Sequence, residues 1–172
     1  MVHTNVKIDV NVVPFEGKSW SDITQVLEAV AKSLGFSTTQ DMLDYHREYT
    51  GKEQIVYMVC TNKNGRPYAS RTFQSDKNGI EGCFVFYGSA NTAASSYNTI
   101  FHEVLHLFGA EDYYAEGSER VKREKLAQKL CPNDVMLNSY SAGEKDVGRY
   151  TAYCIGWLDE MPQEYNQPDW WS

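Results

Sequence analysis

The order of its segments predicts an α/β (α+β) protein formed by a single domain, residues 1–172. Three observations carry that expectation. Short runs of β-formers and stretches with apolar residues three and four apart follow one another along the chain. A continuous apolar run, Cys83 to Tyr87, has the character of a strand covered on both faces. The length suits one core, and with 42% hydrophobic and 23% charged residues the composition is that of a globular domain.

Val6 to Val13 reads as the first strand, with Val6, Ile8, Val10 and Val12 on one parity. Pro14 and Gly17 end it, and Ser19 to Asp22 supplies helix caps. Ile23, Val26, Leu27, Val30 and Leu34 then predict a helix stopped at Gly35. A second helix is expected over about 39–49, with Met42, Leu43 and Tyr45 or Tyr49 on its apolar side and Gly51 closing it. A strand at about 54–61, the dipeptide Asn64-Gly65 and a returning strand at about 67–73 predict a hairpin. Asp76 to Gly79 is a further turn, and Gly88 to Asn91 a loop after the apolar strand. A long helix follows at about 92–108, a polar one at about 118–130 ended by Pro132, and a last one at about 147–155. The tail from about 160 to 172, with Pro162, Pro168 and Trp170-Trp171, is expected to be irregular.

Composition excludes some functions. No run of 18 apolar residues occurs, so neither a transmembrane helix nor a membrane partner is expected. The first residues lack a basic stretch followed by an apolar block, so they do not read as an export signal. A formal charge of −7 and scattered basic residues argue against nucleic acid. The one basic cluster, Arg120, Lys122, Arg123 and Lys125, alternates with Glu119 and Glu124 and reads as a solvated helix face. Cys60, Cys83, Cys131 and Cys154 form no CxxC pair. They fit two disulfides in an exported protein as well as four buried thiols; an extracellular location is favoured, and a monomer is the default.

The chemistry lies in the long helix. His102-Glu103-Val104-Leu105-His106 puts two imidazoles at i and i+4, on one helix face, where both reach one ion. Zinc takes imidazole nitrogen readily. Glu103 beside that face is placed to hold and deprotonate a water whose pKa the metal lowers from about 16 to about 7. The stretch continues to Gly109 and Asp112. In an unbroken helix a ligand six residues past His106 would be rotated by roughly 240° and point away. Gly109 permits the left-handed break that lets Asp112 swing back as third ligand. Two His and one carboxylate leave a fourth zinc position for water. Glu111 is the neighbouring alternative to Asp112.

His102 through Asp112 resembles the long zinc signature of the metzincin metallopeptidases, in the variant that ends in Asp, as in snapalysin-type peptidases. The resemblance implies a mixed, mostly parallel sheet, an active-site helix, a Met-containing turn beneath the metal and a final helix. Asn133-Asp134-Val135-Met136-Leu137 fits the turn, with Met136 30 residues after His106 and supporting the site without binding zinc. Several metzincins carry a Tyr two residues after that Met, as an extra ligand or a donor to the tetrahedral intermediate. Here position 138 is Asn and the first tyrosine is Tyr140, the candidate for that role. Tyr113 and Tyr114 are expected to shape the pocket. The quotable motifs span only about residues 99–140.

The expected activity is hydrolysis of a peptide or protein substrate, with zinc as cofactor and Glu103 as base and then acid. Three alternatives stand beside it. A distant Glu (Glu119, Glu124 or Glu144) could be the third ligand, as in gluzincins. The chain could be a zinc-binding interaction module without turnover, or a zinc amide hydrolase acting on a non-protein substrate.

Overall fold

The computed structural model describes residues 23–61, 64–70, 81–86, 97–114, 120–138 and 143–171. The strand expected at Val6 to Val13, the caps before Ile23, the turn at Asp76 and the loop at Gly88 lie outside them. Among the described residues the chain is mixed α/β, with five α-helices and one three-stranded mixed sheet. It divides into two compact units, each described by itself.

The first unit holds α1 (Ile23–Ser33) and α2 (Thr39–Thr50), which pack together. Of the residues expected on the apolar face, Ile23, Val26 and Leu27 are buried and Val30 and Leu34 half-buried, while Ala31, which the spacing did not mark, is buried as well. Thr38 and Asp41 close a capping box: Thr38 Oγ1 accepts from Asp41 N at 3.0 Å, and Asp41 Oδ2 from Thr38 N at 3.1 Å. Gly51, with φ 65°, ends α2 in the left-handed conformation. The buried side of α2 is Thr39, Met42 and Leu43. Tyr45 and Tyr49 are exposed and stack on each other, so neither belongs to the core.

The second unit holds most of the sheet. Its strands are β1 (Val56–Thr61), β2 (Tyr68–Ser70) and β3 (Glu81–Phe86), in the order β1-β3-β2. β2 and β3 run antiparallel, with Tyr68 opposite Phe84 and Ala69 opposite Cys83. This corrects one expectation. The strands flanking Asn64-Gly65 do not pair with each other, because β3 lies between them. The described sheet is mixed, as expected, and its β2–β3 pairing is antiparallel. β3 is the strand covered on both faces: residues 82–86 are all buried.

Three helices follow: α3 (Tyr97–Leu107), α4 (Val121–Leu130) and α5 (Arg149–Cys154). α3 packs against β2. The tail is less irregular than expected. It forms two 3-10 turns, Gln163–Tyr165 and Pro168–Trp170, and inserts Tyr165 and Trp170 into a core with Leu105, Tyr113, Val135, Met136 and Tyr150. All four cysteines are free thiols; Cys83 and Cys131 are buried and Cys60 is exposed. Among the described residues no helix is long and apolar enough to cross a membrane.

Candidate metal centre

α3 ends where the ligand geometry requires. Leu107 is its last residue, and Gly109 turns left-handed with φ 102°. Ala110 N donates to Leu105 O at 3.1 Å and Gly109 N to His106 O at 3.0 Å, the paired bonds of a Schellman cap. The reversed chain passes Asp112 and is tied down at Tyr113, whose N–H donates to Met136 O at 3.1 Å.

The turn brings three ligand atoms together. His102 Nε2 lies 3.1 Å from His106 Nε2, and Asp112 Oδ1 lies 3.2 Å from each of them. The far ring nitrogens point to main-chain oxygens, Nδ1 of His102 to Val135 O at 3.1 Å and Nδ1 of His106 to Ala110 O at 2.9 Å. A neutral imidazole that donates through Nδ1 presents a lone pair at Nε2. With both imidazoles neutral, three lone-pair atoms converge at 3.1–3.2 Å, a group that could share one cation; without a cation, a proton on His106 bridges to Asp112 instead. Ligand atoms of a tetrahedral zinc site with bonds of 2.0–2.1 Å are separated by roughly 3.3 Å. The three residues could therefore hold a metal ion, and their spacing is compatible with a tetrahedral site.

Electrostatics follow from burial and convergence. Burial works to raise the pKa of the Asp112 carboxyl, but the two imidazoles overcome it and hold that carboxyl well below the ordinary range. Burial works to lower that of His106, and the Asp112 carboxylate outweighs it, so His106 is raised. Glu103 is buried and close enough to His102, His106, Asp112 and Arg66 to feel their charges. Burial raises its pKa, against the pull of the two imidazoles and Arg66.

Beneath the site lies the turn at 134–137. Met136 is fully buried. Asp134 is also fully buried and holds the turn: its carboxylate accepts from Met136 N at 2.8 Å, Gly148 N at 2.9 Å and Thr151 Oγ1 at 2.7 Å. The turn then offers Val135 O to His102.

The structure brings His102, Glu103, His106, Gly109, Asp112 and Met136 to one place; Tyr140 lies outside the described residues. Of the alternative ligands, Glu111 is turned to Arg123 at 2.9 Å, Glu124 accepts from Gln128 at 3.1 Å, and Glu144 is exposed. Glu119 lies outside the described residues. The two tyrosines part company. Tyr113 is a core residue, fully buried and 2.5 Å from Thr151 Oγ1, rather than a pocket wall. Tyr114 stacks on His102, with ring centroids 6.2 Å apart, and its hydroxyl is hydrogen-bonded to Asp112 and to Arg66. Arg66 carried no signal in the sequence beyond following Asn64-Gly65. Within the basic cluster expected to be solvated, Arg123 departs from that expectation and is buried. The chain matches no family model, no curated protein and no solved structure.

Proposed function

We propose that the protein is a zinc-dependent endopeptidase of metzincin type. The observation that carries this reading is the convergence of His102, His106 and Asp112 at 3.1–3.2 Å beside a buried carboxyl, Glu103, whose pKa is raised. A purely structural zinc site has no use for Glu103, whereas a hydrolase needs a base whose pKa is shifted toward the working pH. One chain supplies all of these groups, so a monomer suffices.

When bound, a zinc ion at the triad supplies Lewis acidity, lowering the pKa of a coordinated water and polarising a carbonyl. The chain's residues do the rest. Nδ1 of each imidazole, committed to a main-chain carbonyl, keeps Nε2 free and the rings aimed. Glu103 takes a proton from the attacking water and delivers it to the leaving amine. The Tyr114 hydroxyl, held between the Asp112 carboxylate and the Arg66 guanidinium, steadies Asp112, and Arg66 is a cation beside the triad. An extended peptide substrate would add to the sheet through main-chain hydrogen bonds.

The test is metal content and cleavage together. Wild type is expected to hold about one zinc per chain and to cleave members of a mixed peptide library. His106→Ala should lose the zinc, and Glu103→Ala should keep it and lose cleavage. Zinc without cleavage would favour the binding module, and no zinc at all would overturn the reading.

A further inference from the structure

Arg123 is a buried cation in the second unit. Its side chain is 9% exposed, and its guanidinium carbon lies 5.4 Å from the Tyr113 ring, 5.9 Å from Tyr150 and 5.1 Å from Trp170. Aromatic faces attract a cation but do not replace its hydration, so a buried guanidinium needs a carboxylate. The carboxylate here is Glu111, 2.9 Å from Nη2. Glu111 is itself 45% exposed, and by its own solvation it is free to leave. What keeps it is Arg123, which lacks water to fall back on.

Glu111 precedes Asp112. The two side chains diverge, Glu111 to Arg123 and Asp112 to the imidazoles. The segment is fixed at Ala110 by the Schellman cap and at Tyr113 by Met136 O. Between those points the Glu111–Arg123 pair is a restraint beside Asp112, on the opposite neighbour from the Tyr114 hydroxyl that also holds that carboxylate. We propose that Arg123 is a positioning residue for the metal: through Glu111 it holds Asp112 in register with His102 and His106, and the tail turn Pro168–Trp170 closes the aromatic cage that keeps it dry. The inference rests on the metal reading above and adds a part of the molecule, α4 with the tail, that touches no ligand.

The experiment compares wild type, Glu111→Ala, Arg123→Met and the double variant. Zinc affinity is read by competition with a chromophoric chelator, metal-free stability by urea, and ligand geometry by the visible spectrum of the cobalt(II) form. Each single variant should bind zinc about 10- to 100-fold more weakly, the usual effect of losing a group that orients a ligand. Glu111→Ala should also lose stability, because it strands a buried cation. The double variant strands nothing, so its metal-free stability should recover while its zinc affinity stays low and its cobalt spectrum stays altered. Wild-type affinity and spectrum in the double variant would overturn the proposal and leave the pair a structural one. If the double variant does not fold, Glu111→Gln decides: several-fold weaker zinc binding supports the proposal, and unchanged binding overturns it. A wild-type chain that binds neither zinc nor cobalt fails earlier, on the metal reading itself.

Discussion

Replacing Asp134 by Ala removes the acceptor on which the 134–137 turn, whose Val135 O faces His102, is built. Three donors lose their partner: Met136 N–H, Gly148 N–H and the Thr151 hydroxyl. Met136 is fully buried, so its N–H carries the whole penalty of an unmet donor, about 1–3 kcal/mol. Gly148 is half-buried and recovers part of its loss from water. The Thr151 hydroxyl can turn to Tyr113, 2.5 Å away. Together with the small cavity left behind, the expected loss is about 3–6 kcal/mol, a large share of the roughly 5–15 kcal/mol that holds a domain together. Urea denaturation of the metal-free protein measures it, with an unchanged m-value as the check that the unfolded state is the same. Asp134→Asn is the finer probe, since one oxygen still accepts while the new amide meets a donor; about half the loss is expected. Burial raises the native pKa of Asp134 above 3.8 despite the three donors. The native state therefore keeps its proton longer than the unfolded chain, and this contribution to stability falls as pH rises from about 3.8 to the raised value. Asp134→Asn should lack that slope. A loss below about 1 kcal/mol in Asp134→Ala would mean that the turn does not depend on this carboxylate.

Gly109→Ala must hold an L-residue at φ 102° with its Cβ 3.1 Å from Cys154 O, so about 1–2 kcal/mol of stability and a measurable part of the zinc affinity should be lost. Urea denaturation and chelator competition read the two effects. Arg66→Gln removes a cation that lowers the Glu103 pKa, so that pKa rises further. Because the base must be ionised, the acid limb of kcat/KM should move to higher pH; an unmoved limb would take Arg66 out of the site. The Asp112 carboxylate holds the metal-free His106 pKa above 6.5, so near pH 6.5 zinc should displace a proton, and this release should vanish above the raised value. Zinc titrations in buffers of different ionisation enthalpy detect it. Saturating zinc should raise the denaturation midpoint, by about 2.7 kcal/mol at a free concentration 100 times Kd, and a chelator should reverse the gain.

What the sequence disclosed of this site is local, and what it hid is long-range. His102 and His106 need only a helix to share a face, and Gly109 announces by itself where the helix must stop. Asp112 then follows from the stop. Arg123 gave no such signal, because its neighbours in sequence are charged and its partners (Glu111, Tyr113, Tyr150 and Trp170) come from elsewhere in the chain. The Asn64-Gly65 dipeptide misled for a related reason. A two-residue hairpin of that type needs positive φ at both positions, and Gly65 does not have it. A Cβ at Gly65 would lie 2.5 Å from the Phe86 ring, so this glycine answers to β3, a strand some twenty residues later. The same division explains why the site is ordered at all. Each imidazole is aimed by a carbonyl, one from the helix's own cap and one from the turn at 134–137. The helix alone could orient His106 through Ala110, but it cannot orient His102 without Val135. Two histidines spaced by a local rule become a site only when a segment some 30 residues downstream folds against them, so under the proposed reading metal affinity should report the packing of that turn as sensitively as it reports the histidines.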